Sequence, residues 1–249
     1  MNAKTQNKVA LITGASRGIG AEIARRLVKD GMTVVINYAS SSTEADALVN
    51  ELRAQGGQAI AIKADVSDAA AVQGMFTETE QALGKIDVLV NNAGVMPMHL
   101  PHLANTTDAE FDRMFAINVK GTFNTLREAA TRMNEGGRVI NFSTSVIGVA
   151  LPGYASYAAT KAAVETMSNI FAKEMRGKHI TVNAVAPGPT ATDLFLNGKD
   201  EATIERLSKL NPLERLGQPQ DIAAVVSFLA GADGAWVNGQ TLRANGGMV

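Results

Sequence analysis

The chain has 249 residues, of which 46% are hydrophobic and 19% charged, and this composition excludes an intrinsically disordered protein. The net charge of −1 gives no electrostatic basis for binding nucleic acid, and the absence of cysteine excludes disulfides and cysteine-ligated zinc. The histidines lack the spacing of metal ligands, so no metal site is predicted. No apolar run has the length of a membrane span or a signal-peptide core. We therefore expect a cytoplasmic protein whose partners include neither nucleic acid nor membrane.

Short, β-branched apolar runs alternate with longer helical patterns in the first half of the sequence. They predict strands over residues 8–13, 33–37, 58–65 and 86–94, with helices over 18–29, 43–55 and 68–83 between them. Ser67 is the predicted N-cap of the third helix, and Gly84 is its predicted end.

The second half repeats this alternation. Helices are predicted over 108–133, 154–176 and 221–229, strands over 137–143, 179–187 and 240–244, and a looser, lid-like segment over about 188–212. Continuously apolar strands indicate a parallel sheet that is buried on both faces. The predicted fold is α/β: residues 1–249 form a single-domain, Rossmann-like, doubly wound parallel sheet with helices on both faces.

The first strand leads directly into the glycine-rich turn "TGASRGIG", in which Gly14, Gly18 and Gly20 open the first helix. Glycines at these positions permit a tight turn and let a pyrophosphate approach backbone amides at the positive end of a helix. The spacing differs from the usual G-x-G-x-x-G, and a plain strand-to-helix turn is the alternative interpretation. Its position after the first strand of a βαβ series favours a dinucleotide site.

The end of the second strand indicates which dinucleotide is bound. Proteins that bind NAD place a carboxylate there, which accepts hydrogen bonds from the adenosine ribose and would repel a 2′-phosphate. Here Asn37 occupies that position, Ser40 and Ser41 follow it, and Arg17 in the glycine turn offers a guanidinium to a phosphate. The combination favours NADP(H) over NAD(H), although Arg17 by itself is also typical of a solvated turn.

The segment "YASYAATKAA" places Tyr157 and Lys161 four residues apart, and thus on one face of a helix. Hydride transfer to a carbonyl requires a proton for its oxygen, and a free tyrosine has a pKa near ~10. A neighbouring ammonium favours the phenolate, so we expect Lys161 to lower the pKa of Tyr157. Upstream, the hydroxyl of Ser145 is predicted to hold the substrate oxygen, and Ser143 remains an alternative because both face the same way on a strand. A solvated surface pair is the other interpretation of Tyr157 and Lys161.

Six segments, "TGASRGIG", "NNAG", "AINVKG", "STSVIG", "YAATK" and "APGPTAT", resemble in this order the motifs of the classical short-chain dehydrogenase/reductase family. The resemblance extends over essentially the entire chain. It implies that Tyr157 is the general acid/base and that Lys161 lowers its pKa and binds the nicotinamide ribose. It also implies that Ser145 orients the carbonyl oxygen and that Asn118 holds a water for proton relay. Ser145 precedes the tyrosine by slightly fewer residues than is common in the family.

The same resemblance implies a set of cofactor contacts, with adenine near residues 65–66, the ribose side near 92–94 and the nicotinamide near 187–192. The implied contact residues, besides Tyr157 and Lys161, are Gly14, Ser16, Arg17, Gly18, Ile19, Gly20, Asn37, Ser40, Ser41, Asp65, Val66, Asn92, Ala93, Gly94, Pro187, Gly188, Thr190 and Thr192. Thr190 stands where the family often has isoleucine, so its contact is expected through the backbone.

The implied function is NADPH-dependent reduction of a ketone or aldehyde to an alcohol, a reversible reaction on a small-molecule substrate. A 3-oxoacyl-[acyl-carrier-protein] reductase shares these motifs and is an alternative. That enzyme needs a basic patch for its acidic carrier, whereas Glu135 precedes the fifth strand and Lys178 compensates only in part. A non-catalytic NADP(H)-binding sensor is the alternative from another class, and the presence of all four predicted catalytic residues disfavours it.

Apolar residues near these motifs are predicted to contact the substrate. Tyr154 is read as pocket wall, and the others are Met96 and Met98 after "NNAG" and Leu194, Phe195 and Leu196 in the lid-like segment. The helix over 154–176 carries small or apolar residues on more than one face. Burial against further copies of the chain would explain this excess, so a homotetramer is expected.

Overall fold

The computed structural model describes residues 8–249, which contain one seven-stranded sheet. Its strands are β1 Val9–Ile12, β2 Thr33–Tyr38, β3 Ala59–Lys63, β4 Val88–Asn91, β5 Arg138–Phe142, β6 Thr181–Pro187 and β7 Thr241–Ala244. Every neighbouring pair is parallel, in the order β3-β2-β1-β4-β5-β6-β7. The order reverses between β1 and β4, and ligands of such sheets bind beside the carboxyl ends of the strands at this point. The predicted doubly wound, Rossmann-like fold is confirmed.

Helices connect the strands on both faces of the sheet. They are α1 Gly18–Lys29, α2 Ser42–Ala54, α3 Ala69–Leu83, α4 Asp108–Met114, α5 Gly121–Arg132, α6 Val146–Val149, α7 Ala155–Glu174, α8 Asp193–Leu196, α9 Glu201–Ser208 and α10 Pro219–Ala230. Among residues 8–249, no helix is both long and apolar enough to cross a bilayer.

Two apolar cores lie on opposite faces of the sheet. Successive residues of a strand point to opposite faces, so Ile12 packs with α1, α2 and α10, whereas Leu11 packs with α3, α5 and α7. Both side chains are fully buried. Burial on both faces is the physical reason for the continuously apolar strands.

The predicted helix over 108–133 is wrong as a single α-helix. Between α4 and α5 the chain forms a π-helical segment, Phe115–Lys120, in which the wider turn carries the fully buried Asn118. Such π-turns occur mainly inside α-helices and often at functional sites. Apolar periodicity continues through the segment, and it therefore does not reveal the change of turn.

Two further predictions need correction. Ser67 does not cap α3: the carboxylate of Asp68 accepts from the amides of Ala70 and Ala71, while the Ser67 hydroxyl donates to Asp65. An aspartate and a serine are both good N-caps, and the local backbone decides between adjacent ones. The segment over 188–212, predicted to be loose, contains the short helices α8 and α9.

Candidate active site

A cleft opens at the carboxyl ends of the central strands. It brings together residues that the sequence predicted for the site but that lie far apart in the chain. Those that line it are Ile19, Asn92, Gly94, Ser143, Ser145, Tyr157, Lys161, Pro187, Gly188, Thr190 and Thr192. The other predicted cofactor residues lie at the carboxyl ends of β1 to β4, in the loops that follow or in the first turn of α1, and thus at the same edge of the sheet.

The glycine turn is packed directly against the loop after β4. Gly14 has a φ of +60°, and a Cβ built on it would lie 2.9 Å from Cα of Ala93, so only glycine fits. The hydroxyl of Thr13 accepts from the amides of Asn92 and Ala93, at 3.1 and 3.0 Å. These contacts hold the turn in one position relative to β4.

Asn92 fixes the same turn from the other side. Its Nδ2 donates to the carbonyls of Thr13 and Gly14, at 3.0 and 2.9 Å. A Cβ on Gly20 would lie only 2.6 Å from this Nδ2 and 2.7 Å from the Gly14 oxygen. Gly20 is therefore required by close packing between α1 and the turn.

The amino end of α1 is suited to a pyrophosphate. Its N-cap, Arg17, has extended backbone and makes no side-chain capping bond, so the first amides of this 12-residue helix lack the usual side-chain partner. Ile19, in the first turn, lines the cleft. Unpaired amides at the positive end of a helix are an anion-binding arrangement, and the described residues fit a dinucleotide here.

Asn37 supports the turn rather than facing a ligand. Its side chain is 1% exposed; Oδ1 accepts from the Gly14 amide at 3.2 Å, and Nδ2 donates to the carbonyls of Ile62 and Ala64. Because both amide hydrogens are used within the protein, the predicted direct contact of Asn37 with the cofactor is corrected to a supporting role. Arg17 and Ser40 are exposed at this edge.

Further loops complete the same edge. The carboxylate of Asp65 accepts from the amide and hydroxyl of Ser67, and the buried Val66 packs against Gly121 in α5. Ser16 and Ser41 are half-buried. Thr190 is buried, and its hydroxyl donates to the carbonyl of Gly188.

Tyr157 and Lys161 both reach the cleft from α7. The Lys161 ammonium lies 5.9 Å from the centroid of the Tyr157 ring and donates to the carbonyl of Phe142 at 3.0 Å. A Cβ on Gly94 would lie 3.2 Å from that ammonium and 3.3 Å from Oδ1 of Asn118. The glycine thus leaves space beside the cation that any other side chain would occupy.

Burial dominates the protonation of this pair. It raises the pKa of Tyr157 to about 12, with a smaller increase from Tyr154, while the Thr144 side chain acts in the opposite direction. Burial lowers the pKa of Lys161 to about 8. The pKa of Tyr157 thus lies above its usual value overall, because loss of hydration disfavours the phenolate. That Lys161 lowers this pKa stays a prediction. At neutral pH the phenol is protonated and can act as an acid.

Asn118 connects the pair to the loop after β4. Its Oδ1 accepts from the amide of Val95 at 2.8 Å, and its Nδ2 donates to the Val95 carbonyl and to the Thr160 hydroxyl. Thr160 in turn donates to the carbonyl of Tyr157. These bonds fix the position of α7 relative to the loop after β4. The role of Asn118 in holding a water stays a prediction.

Three adjacent hydroxyls follow β5, and each has a different environment. Ser143 donates to Glu165 at 2.5 Å, while Ser145 donates to the carbonyl of Ala186 and accepts from Asn245, both at 2.9 Å. Thr144 lines the cleft, and its hydroxyl accepts from the amide of Val146 at 3.3 Å. Thr144 was not among the predicted site residues, and its place between two serines was the only signal for it.

The outer part of the cleft is apolar. Its walls include Met96, Val146, Leu151, Tyr154, Leu194, Phe195, Leu207 and Met248. Met98 and Leu196, which were also predicted to contact the substrate, are not among the lining residues, and Met98 is 65% exposed. Met248, which was not predicted to contact the substrate, lies in the segment after the last strand.

The residues weighed for binding a carrier protein lie elsewhere. Glu135 and Lys178 precede β5 and β6, at the amino edge of the sheet and opposite the cleft. Lys178 donates to the carbonyl of Ala130, and Glu135 faces His179 at 3.6 Å. The expectation that these two charges bear on the site is therefore wrong, because a parallel sheet sends its amino ends to the other edge.

Comparisons with known proteins agree with this geometry. A family model described as enoyl-(acyl carrier protein) reductase matches residues 14–249. The chain is 48% identical to a short-chain type dehydrogenase/reductase of Picea abies, over 97% of this chain and 92% of that protein. It is 41% identical to a chloroplastic NADPH-dependent aldehyde reductase-like protein of Arabidopsis thaliana, over 97% and 94%.

A solved structure also resembles the chain throughout. It is a short-chain dehydrogenase from Burkholderia cenocepacia J2315 in complex with NADP, with a TM-score of 0.93 and 37% sequence identity. The match covers 99% of each chain. The likeness therefore includes the glycine turn, the strand edge and the Tyr–Lys helix described above.

Proposed function

The chain belongs to the short-chain dehydrogenase/reductase family, and from this premise we propose that it reduces the carbonyl group of a small molecule with NADPH. One observation carries the proposal: Tyr157 and Lys161 reach the same cleft beside Gly94, at the edge of the sheet where the glycine turn opens α1. NADPH, when bound, would supply the hydride. The chain's own residues supply the proton and hold the reacting oxygen.

Three features support NADP(H) as the cofactor. Arg17 and Ser40 are exposed beside the glycine turn, and the residue at the predicted carboxylate position is Asn37. A guanidinium binds a 2′-phosphate through charge-assisted hydrogen bonds, and the missing carboxylate removes repulsion. The Arabidopsis relative is named as NADPH-dependent, and the Burkholderia structure holds NADP.

Tyr157 is assigned the role of general acid. Its pKa of about 12 keeps the phenol protonated at neutral pH, so it can donate a proton to the carbonyl oxygen as the carbon is reduced. The Lys161 cation, 5.9 Å from the ring, favours the phenolate that remains. The reverse reaction needs that phenolate at the start, so alcohol oxidation is expected to increase with pH.

The substrate is proposed to be a free carbonyl compound with an apolar substituent. Met96, Leu151, Leu194 and Phe195 form an apolar outer wall, and burying such a surface contributes about 25 cal/mol per Å². Residues 188–212, which contribute two of these side chains, are proposed to form a lid. A 3-oxoacyl thioester carried by an acyl-carrier protein is the second candidate, favoured by the description of the matching family model.

A homotetramer is also proposed. Phe123 on α5 and Ile170 on α7 are 47% and 52% exposed, which leaves apolar surface on the helices beside the site. Sedimentation velocity at micromolar concentration tests the assembly, and a monomer would contradict it. Cytoplasmic location stays a prediction, and the Arabidopsis relative is a chloroplastic protein.

The decisive experiment follows NADPH and NADH oxidation against aliphatic and aromatic ketones, aldehydes and 3-oxoacyl thioesters. Tyr157→Phe is expected to abolish turnover while NADPH still binds, because it removes only the proton donor. Arg17→Ala is expected to raise the KM for NADPH by about tenfold and to leave that for NADH unchanged. Arg176→Ala removes the same charge at an exposed position just beyond the carboxyl end of α7 and serves as the matched control.

Each outcome distinguishes the candidates. Tight NADPH binding with no turnover of any carbonyl would favour a non-catalytic sensor. A strong preference for thioesters on the carrier protein over free ketones would favour the second candidate. Preference for NADH would contradict the cofactor assignment.

A further inference from the structure

We propose that Met248 limits the size of the apolar substituent that the cleft accepts, and that Asn245 holds Met248 in place. The inference rests on the proposed carbonyl reduction and adds to it a specificity-determining residue and a positioning residue. Both belong to the segment 245–249, which follows β7.

The side chain of Met248 forms part of the cleft wall. It lines the cleft together with Tyr154 at the start of α7 and Phe195 in α8, although it comes from another part of the chain. A thioether side chain is apolar and makes favourable contacts with aromatic rings. Shortening it would enlarge the cleft without removing a hydrogen-bond donor from it.

Two glycines turn the chain after β7. Gly246 and Gly247 have φ values of +68° and +85°, a region that residues with a Cβ rarely adopt. A Cβ on Gly246 would also lie 2.6 Å from Oδ1 of Asn211, and one on Gly247 would lie 3.4 Å from Cδ of Pro212. The turn therefore packs against the residues that follow α9, and Met248 comes directly after it.

The side-chain oxygen of Asn245 stabilises this turn. It accepts from the amides of Gly247 and Met248, at 3.0 and 3.2 Å. An asparagine that binds the amide two residues further on forms an Asx-turn, in which a side-chain oxygen takes the place of a backbone carbonyl. The backbone of Met248 is thus bound directly to Asn245.

The same side chain joins the turn to the inner part of the cleft. Its Nδ2 donates to the hydroxyl of Ser145 at 2.9 Å, and Ser145 in turn donates to the carbonyl of Ala186. Ser145 is 2% exposed, so this bond lies in the protein interior. Because one planar amide makes both sets of bonds, the position of Met248 is fixed relative to the predicted catalytic hydroxyl.

A further contact holds the segment on the other side of Met248. A Cβ built on Gly148 would lie 3.0 Å from Cγ2 and 3.2 Å from Cβ of Val249. Gly148 belongs to α6, whose first residue, Val146, also lines the cleft. The residues before and after Met248 are therefore both in contact with the framework of the cleft.

A wall in a fixed position discriminates substrates by size. An apolar substituent that fits gains from the burial of its surface, whereas a larger one collides with a side chain whose backbone is held. Discrimination of this kind in an apolar pocket amounts to about 10–200-fold.

The test compares a phenyl methyl ketone with the larger naphthyl methyl ketone in the NADPH oxidation assay of the full-length protein. Met248→Ala should raise the ratio of kcat/KM for the larger ketone to kcat/KM for the smaller by about tenfold, because it opens the wall. Met167→Ala is the matched control. Met167 is half-buried on α7, packs against an apolar core and is not among the residues that line the cleft, so the ratio should stay unchanged.

Two substitutions at Asn245 separate its positioning role from a general effect on folding. Asn245→Ala removes the acceptor for both amides, so the ratio should rise as it does in Met248→Ala. Asn245→Asp keeps an oxygen that accepts from the amides of Gly247 and Met248, so the ratio should remain that of the wild type. A merely destabilising effect would lower kcat/KM for both ketones alike.

A second readout does not depend on turnover. In protein that contains methionine labelled with 13C at its methyl group, the Met248 signal is identified by its absence from the spectrum of Met248→Ala. Addition of the naphthyl ketone to the protein with NADP+ should shift this signal, because an aromatic ring in contact with a methyl group changes its chemical shift. The Met167 signal should not move.

The outcomes separate this inference from the proposed function. Reduction of both ketones with a wild-type ratio in Met248→Ala, or an equal change in Met167→Ala, would overturn the role of Met248. A wild-type ratio in Asn245→Ala, or equal increases in Asn245→Ala and Asn245→Asp, would overturn the positioning role. If the wild-type protein reduced no carbonyl compound, the proposed function would fail. The methyl signal would still decide the contact: a shift on addition of the ketone would support it, and an unchanged signal would overturn it.

Discussion

A substitution at Gly20 tests the packing on which the dinucleotide site depends. In Gly20→Ala, the new methyl would lie 2.6 Å from Nδ2 of Asn92, 2.7 Å from the Gly14 carbonyl and 2.9 Å from Cα of Ala15. Two of these neighbours are backbone atoms, so rotation of the Asn92 side chain alone cannot relieve the crowding. The glycine turn must shift away from α1, and the two hydrogen bonds of Asn92 to that turn weaken.

The magnitude follows from opposing contributions. Overpacking at a tight contact costs about 1–3 kcal/mol, and each weakened hydrogen bond adds about 1 kcal/mol. Alanine in place of glycine inside a helix increases the stability of the folded state by about 1 kcal/mol. With two such hydrogen bonds, we therefore expect Gly20→Ala to lower the free energy of unfolding by about 2–4 kcal/mol. In a chain of this size that corresponds to a decrease in Tm of about 2–4 °C per kcal/mol.

Gly74→Ala is the matched control. Gly74 also lies inside a helix, α3, but a Cβ built there meets no atom within 4 Å. Only the propensity effect remains, so this variant should be more stable than wild type by about 0.5–1 kcal/mol. The two glycine-to-alanine changes thus have opposite predicted signs.

Thermal unfolding by circular dichroism measures the stability, and NADPH fluorescence titration measures the affinity. Because the shifted turn carries the amides that face the pyrophosphate, Gly20→Ala should weaken NADPH binding by about tenfold, whereas Gly74→Ala should not. A Gly20→Ala protein with wild-type Tm and affinity would refute the packing argument. A destabilised Gly74→Ala protein would refute the propensity estimate.

Three further predictions concern other parts of the molecule. Lys161→Met should be inactive yet more stable at pH 7 by about 1–2 kcal/mol, because burial lowers the pKa of Lys161 to about 8. Between pH 8 and the pKa of 10.5 that Lys161 has in the unfolded chain, the unfolded protein binds more protons than the folded one, so the stability of the wild type rises with pH. The stability advantage of Lys161→Met, measured by urea unfolding, should therefore be smaller at pH 10 than at pH 7. Asn141→Leu removes the buried link between Asn91 and Ser168 and should cost about 2–4 kcal/mol in urea unfolding; an unchanged midpoint would contradict this. Phe195→Ala should raise the KM for aromatic ketones while kcat changes little, because Phe195 lines the apolar wall of the cleft. A fall in kcat by the same factor as the rise in KM would contradict a role in substrate binding alone.

Much of the fold was predictable because its signals are local. Each strand is a short apolar run bounded by glycine or polar residues, and burial on both faces of the sheet leaves that run continuous. Positions in the glycine turn were predictable for a similar reason, since only glycine tolerates the positive φ of Gly14 and its approach to Ala93. The π-helical segment around Asn118 was not predictable, because the spacing of apolar residues does not show which backbone hydrogen bonds form.

The sequence by itself determined the doubly wound parallel sheet, the glycine turn and the pairing of Tyr157 with Lys161 on one helix. These follow from periodicity and from the conformational limits of single residues. The tertiary structure alone decided the sign of the pKa shift of Tyr157, the burial of Asn37 and the different environments of the three hydroxyls around Thr144. The burial and the hydrogen-bond partners of these side chains are provided by segments that are distant in the chain, such as the one that carries Asn245. The residues adjacent in sequence therefore do not predict them.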